Sequence, residues 1–126
     1  MIKAQADINI KNDDKKSALH LSAFWGYFYI TKLLIDNGAD INSLDNEKKL
    51  AIHLCALRGH NELLSYLLDK KHTYIFSKNL YGNTSFDLAK TKETKAIIEK
   101  YINLLTSTFQ KRKNVTHIII VVKKLQ

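Results

Sequence analysis

The chain has 126 residues, of which 45% are hydrophobic and 25% charged, so its length and composition predict one compact domain. The longest strongly apolar run, Ile118 to Val122, is far shorter than the roughly 18 residues of a membrane-spanning helix, and the N-terminus does not read as a secretory leader. A single cysteine, Cys55, cannot form an internal disulfide bond. Together these features predict an intracellular, cytoplasmic protein.

The net charge of +8 is concentrated at the C-terminal end of the chain. Residues 1–99 contain 14 basic and 12 acidic side chains, whereas residues 100–126 contain six basic side chains and no acidic one. Binding to nucleic acid or to an acidic membrane is therefore predicted only through the basic, apolar tail at 106–126. Its basic residues are Lys111, Arg112, Lys113, Lys123 and Lys124. The apolar run between them, 115–122, favours a β-strand.

The first predicted element belongs to a pattern that recurs after 33 residues. Asp7-Ile8-Asn9 aligns with Asp40-Ile41-Asn42, and the letters ALHL at 18–21 align with AIHL at 51–54. A weaker third copy, at 84–89, follows the matching part of the second copy after 34 residues. A period of this length predicts stacked units of helix, turn and helix.

Each period predicts two short helices. In the first copy, the helix that carries Leu19 and Ala23 ends near Gly26, because glycine readily adopts the left-handed conformation that closes a helix. A second helix, with apolar residues at Ile30, Leu34 and Ile35, stops before Gly38. The second copy repeats the arrangement with Ile52, Ala56, Leu63, Leu64, Leu67 and Leu68. Since neither pair buries its apolar face alone, the copies must stack.

The order of these residues resembles the ankyrin repeat. The matching segments are 17–23, Gly26, Ile30, 34–35 and 38–42 in the first copy, and 50–56, 59–60, 63–64 and 67–68 in the second, where residues 71–74 (KHTY) depart from the pattern. The resemblance implies an all-α ankyrin-repeat solenoid at 1–105, followed by the tail. Its parts are a remnant of a preceding repeat at 1–12, repeats at 14–42 and 47–76, and a capping-like repeat at 81–105.

The resemblance also implies hairpin-like finger loops at 42–50 and 75–83. Gly82 occupies the position in the finger turn that tolerates a positive φ. Lys15 and Lys48 stand at the equivalent positions of the other two fingers, so those turns are expected to be strained or differently shaped.

The sequence contains none of the common catalytic motifs, and we predict neither an enzyme nor a bound cofactor. The best candidate for a metal site is His53-x-Cys55-x4-His60, but residues two apart on a helix point to different sides, so zinc is disfavoured. The resemblance instead implies that His20 and His53 bind loop backbone and tie repeats together, and that Asp87 takes this role in the last copy.

The aromatic cluster around Gly26 is predicted to be divided between two roles. By the resemblance, Phe24 and Trp25 lie at the end of the first helix on the concave side, where ankyrin proteins contact partners. Phe28 is expected to be partly buried and Tyr29 to point outward. Because tryptophan is enriched at binding hot spots, Trp25 is a candidate anchor, although it could also pack against the neighbouring repeat.

We call the whole set of predicted contact residues the recognition strip. It combines an apolar centre with a charged edge, which is typical of protein-recognition surfaces. Its members are Phe24, Trp25, Leu57 and Arg58 on the helices, and Asp13, Asp14, Lys16, Asn46, Glu47, Lys49, Leu80, Tyr81 and Asn83 on the fingers.

The main functional prediction is a non-enzymatic module that binds a partner protein through its concave face and fingers. One alternative is a regulatory ankyrin segment of a larger enzyme or membrane protein. The other is binding of acidic lipid or nucleic acid through the tail.

Overall fold

A computed structural model describes residues 7–110 and 121–126, which contain helices and turns but no strand. The helices are α1 (Ala18–Trp25), α2 (Phe28–Asp36), α3 (Ala51–Arg58), α4 (Asn61–Leu68), α5 (Ser85–Leu88) and α6 (Lys92–Gln110). Residues 121–125 are also helical, so the β-strand expected there is wrong for Val121 and Val122. The rest of that apolar run, and the basic residues 111–113, lie outside the described residues.

The helices form three hairpins that stack in a row. Each hairpin pairs two successive helices, α1 with α2, α3 with α4, and α5 with α6. The first helices contact one another in the order α1, α3, α5, and α4 packs against α6. Leu19 and Ile52, one period apart, are both almost fully buried in a single core. The predicted all-α stack is therefore confirmed.

Small side chains allow the first helices to lie close together. Ala23 and Ala56 are completely buried between hairpins, and Cys55 is buried beside them. The Cys55 thiol lies 3.6 Å from the backbone oxygen of Ala23 and donates to it across the α1–α3 contact. Leu64 and Leu67 on α4, the second helix of the middle hairpin, fill the space behind this contact and are fully buried.

None of the first helices of the three hairpins has proline at its first residue, where proline would preset the helical backbone. Polar side chains stabilise the starts of these helices instead. Ser17 Oγ accepts a hydrogen bond from the backbone N–H of His20, and Thr84 Oγ1 accepts one from Asp87. Leu50 cannot cap α3 in this way, but its own N–H donates to His53 Nδ1 over 2.9 Å. Each of these helices thus has at least one terminal N–H group satisfied locally.

The two histidines tie each repeat to the next finger, as the resemblance implied. His20 Nε2 lies 2.9 Å from the backbone oxygen of Lys49, and His53 Nε2 lies 2.9 Å from that of Ser77. His20 also accepts the N–H of Ser17 at the start of its own helix. In the last copy, the Asp87 carboxylate makes the equivalent bond at the helix start by accepting the N–H of Thr84. The expected structural role of His20 and His53 is confirmed.

The three fingers have one shape, although only the third contains glycine at its turn. Lys15 and Lys48 adopt φ values of 60° and 58°, close to the 81° of Gly82. In every finger this residue donates its N–H to a backbone oxygen three residues earlier. The turns at Lys15 and Lys48 are therefore strained, as expected, but they are not differently shaped.

Candidate functional site

An Asn or Asp side chain organises each finger from the inside. Asn12 Oδ1 accepts the N–H groups of Asp14 and Lys16, each over 3.0 Å. Asp45 Oδ1 does the same for residues 47 and 49, and Asn79 Oδ1 for residues 81 and 83. These repeated bonds hold the backbone in the left-handed turn even where the turn residue is lysine. The finger-tip residues of the recognition strip are thereby carried on backbone turns of equivalent shape.

Backbone hydrogen bonds join neighbouring fingers into a row. The N–H of Asn46 donates to the backbone oxygen of Asp14 over 3.0 Å, and the N–H of Leu80 donates to that of Glu47 over 2.8 Å. Four predicted contact residues thus lie side by side, from the first finger to the third. The row supports the part of the prediction that groups the finger tips into one surface.

Several finger residues of the recognition strip already have partners within the chain. Lys16 pairs with Asp45 over 3.1 Å, and Lys49 pairs with Glu47 over 3.2 Å. Glu47 also accepts a hydrogen bond from the Tyr81 hydroxyl over 2.7 Å, which lowers the pKa of the carboxyl and raises that of the phenol. These contacts stabilise the finger row and leave fewer free groups on it than the sequence suggested.

Asp45 is not among the contact residues predicted from the sequence, yet it is the charged centre of the second finger. Its burial by itself raises the pKa, but the N–H of Lys49, the Lys16 ammonium and the N–H of Glu47 outweigh burial and lower it. The carboxylate is therefore ionised and holds two fingers together. The available signal was the spacing, because Asn12 and Asp45 are 33 residues apart and Asn79 follows after 34.

The helical part of the recognition strip forms a cluster around Phe24. The Trp25 ring packs edge-on against Phe24 with ring centroids 5.0 Å apart. The Arg58 guanidinium lies 4.6 Å from the Phe24 centroid and 5.7 Å from the Trp25 centroid, both within range of cation–π attraction. Phe24, Leu57, Arg58 and Lys90 line an open depression. The structure therefore brings the four predicted helical residues together across α1 and α3.

Trp25 remains more than half exposed at 55%, despite its packing on Phe24. Tyr29 is 84% exposed and Phe28 is half-buried against the core, so both expectations for these residues are confirmed. Among the residues that the structure describes, no hydrogen bond or ring contact joins the helical cluster to the finger row. The recognition strip thus consists of two groups, each internally connected.

Lys90 is a member of the depression that sequence reasoning missed. Its position is equivalent to Ala23 and Ala56, which are completely buried, yet Lys90 is exposed on the last hairpin. A lysine where the other copies have a buried alanine was visible in the alignment.

The three residues of the disfavoured zinc motif have other partners. His53 binds backbone through both ring nitrogens, Cys55 faces Ala23, and His60 Nε2 lies 2.8 Å from the backbone oxygen of Phe24. Within the described part of the chain, no group of three or more His, Cys, Asp or Glu side chains is arranged to hold a metal ion. None of its helices combines the length and apolarity needed to cross a bilayer.

Stacked helical hairpins, left-handed glycines at the helix ends and histidine-tied fingers define a helical repeat protein. The family model for ankyrin repeats (3 copies) matches residues 1–79 and 26–115, and the chain belongs to that family. Comparison with curated protein sequences gives no match. Ankyrin repeats generally serve protein–protein interaction, and their fold is typically not catalytic.

Proposed function

We propose that this chain is a non-enzymatic binding module that holds a partner protein against the recognition strip, with Phe24 and Trp25 as anchors. The observation that carries the proposal is the cluster at Phe24, where a tryptophan that is 55% exposed is held in place by a ring and a guanidinium. A large, rigid side chain fixed before binding loses little entropy when a partner covers it.

The finger row supports the same proposal. Leu80 and Tyr81 are 54% and 65% exposed at the tip of the third finger, and Asp13, Asp14 and Asn46 are exposed on the other two. Because the fingers are joined through backbone, these side chains present a preorganised surface rather than independent loops. Lys16 and Glu47 are less exposed and hold the row through their contacts with Asp45 and Tyr81 of the next finger. Lys49 and Asn83 are also less exposed, and their N–H groups bond within their own fingers.

The proposal is tested by pull-down from a cell extract with the wild-type chain, the Trp25→Ala variant and a Tyr29→Ala control. Tyr29 is the more exposed ring but lies on α2, outside the recognition strip. We expect a protein that the wild type and Tyr29→Ala retain and that Trp25→Ala loses. Equal retention by all three proteins would contradict the proposal. A regulatory segment of a larger protein would use the same surface and give the same result.

Binding of acidic lipid or nucleic acid through the tail is a separate proposal. Lys123 and Lys124 are exposed in the helical segment 121–125, and no other observation favours it. It predicts an affinity that falls steeply with salt and disappears when residues 106–126 are removed.

A further inference from the structure

The helical side of the recognition strip changes from aromatic to basic along the stack. In the alignment of the three copies, Trp25 corresponds to Arg58 and to Lys92, although Lys92 begins α6 in the structure because α5 ends at Leu88. Two residues before this position, the first copy has Ala23, which is completely buried, and the third copy has Lys90, which is exposed. The surface thus has an apolar end at α1 and a cationic end at the start of α6.

The three cations at this end carry no compensating carboxylate in the described structure. The ion pairs among residues 7–110 and 121–126 join Lys16 with Asp45, Lys32 with Asp36, and Lys49 with Glu47. The acidic side chain of α5, Asp87, is engaged by the N–H of Thr84, and Glu93 forms no ion pair there. Arg58 is held by its ring contacts, so its guanidinium donors are positioned in advance for an acceptor.

We propose that the partner segment is an acidic peptide that lies along this side of the strip. One of its apolar side chains packs on Phe24 and Trp25, and its Asp or Glu side chains face Arg58, Lys90 and Lys92. This inference rests on the proposed function and adds the chemistry and the order of the partner's contacts. Complementary charge at this end confers specificity and speeds association.

A nucleic acid is a poorer fit for the same surface. Three cations are few compared with the roughly 6 to 10 phosphate contacts of a typical DNA-binding protein. Phe24 and Trp25 pack edge-on with their ring planes at 88°, so they do not offer the successive parallel faces on which neighbouring bases stack.

The test is selection from a random-peptide phage library on the full chain, with counter-selection on Trp25→Ala. The selected peptides are then titrated against a triple variant, Arg58→Gln, Lys90→Gln and Lys92→Gln. The matched control removes the same amount of charge elsewhere, through Lys71→Gln, Lys100→Gln and Lys123→Gln. All six side chains are exposed, so both variants are expected to fold.

We expect peptides that combine an apolar residue with several Asp or Glu. Their affinity should fall by about tenfold or more in the first triple variant and by less than about twofold in the control. Peptides that require Trp25 but lack acidic residues, or that bind both triple variants equally, overturn this inference and leave the proposed function standing. If the wild type enriches no peptide over Trp25→Ala, both are contradicted. Binding of a labelled single-stranded oligonucleotide that only the first triple variant abolishes would also overturn the inference.

Discussion

The imidazole ring of His60 lies directly against Gly26 of the preceding hairpin. A β-carbon added to Gly26 would come within 2.6 Å of His60 Nδ1 and 2.7 Å of Cε1, which is too close for any side chain. The same ring lies 2.8 Å from the backbone oxygen of Phe24 through its other nitrogen. His60 therefore links the second hairpin to the residues that carry the aromatic cluster, and Gly26 makes room for it.

This contact predicts different costs for two glycines of the same conformation. Gly26 and Gly59 close α1 and α3 with φ values of 74° and 72°, but nothing lies within 4 Å of a β-carbon at Gly59. Gly59→Ala should lower the free energy of unfolding by about 1–2 kcal/mol, the cost of a left-handed alanine. Gly26→Ala should cost at least about 1 kcal/mol more, because the ring must also move.

Urea denaturation of both glycine variants measures this difference. The control is the pair of variants in a His60→Ala background, where the additional cost at Gly26 should disappear. Equal destabilisation by both substitutions in the wild-type background would show that the ring contact does not stabilise the stack.

Replacing either finger lysine by glycine should stabilise the protein. Lys15 and Lys48 hold positive φ values, which cost a side-chain-bearing residue roughly 1–2 kcal/mol, and glycine avoids that strain at a smaller entropic cost. We expect Lys15→Gly and Lys48→Gly each to raise the urea midpoint, with a gain of about 0.5–1 kcal/mol. Lys78→Gly, at a position without positive φ, serves as the control and should not stabilise. A lower midpoint for both finger variants would mean that the lysine side chains contribute contacts that outweigh the strain.

Stability should decrease as the pH falls below neutrality. Burial lowers the pKa of His20 and of His53 from the ordinary 6.5, because desolvation disfavours the charged ring. The unfolded chain then binds more protons than the folded chain below about pH 6.5, so acid favours unfolding. Protonation of His53 Nδ1 would also remove the acceptor of the Leu50 N–H. Each histidine contributes at most about 1.4 kcal/mol per pH unit in this window.

The pH effect is measured by urea denaturation between about pH 7.5 and pH 5.5. Asp45 and Glu47, whose pKa values are lowered from 3.8 and 4.5, lose their contributions only at lower pH and do not interfere. The difference in stability should shrink in His53→Gln and persist in His72→Gln, since His72 is exposed. A flat profile in the wild type would contradict the structural role of the two histidines.

The Cys55 thiol should be unreactive in the folded protein. It is completely buried, and burial raises its pKa from 9.0 to about 12, so almost none of it is thiolate at neutral pH. A chromogenic disulfide reagent should label Cys55 only as fast as the α1–α3 contact opens. The labelling rate should rise in Gly26→Ala, which weakens that contact. Immediate labelling of the native wild type would show that the contact is open in solution.

The period of the sequence was sufficient to predict the helices, and the resemblance to the ankyrin repeat implied the histidine ties. Leu19 and Ile52, or His20 and His53, occupy equivalent places because every unit buries its face against the next one. The glycine ends of α1 and α3 were predictable for the same reason, since few other residues tolerate that conformation.

The finger turns and the cationic end were harder to predict, because they depend on contacts between positions that the pattern treats separately. Lys15 and Lys48 follow the glycine-type turn because Asn12 and Asp45 hold the loop from inside. The pairing of Tyr81 with Glu47, 34 residues apart, depends on how two fingers lie side by side. Neither the shape of these turns nor this pairing can be predicted from the variable positions of the repeat taken one at a time.

The central claim, that a partner covers the strip at Phe24 and Trp25, is tested most directly through the chain's single tryptophan. The chain is labelled with 5-fluorotryptophan, so that one ¹⁹F resonance reports on Trp25 alone, and the protein captured by pull-down or a selected peptide is added to saturation. We predict that the resonance shifts and that the ring becomes protected from a soluble paramagnetic quencher. An unchanged resonance with undiminished quenching at saturation would place the partner elsewhere and contradict the claim.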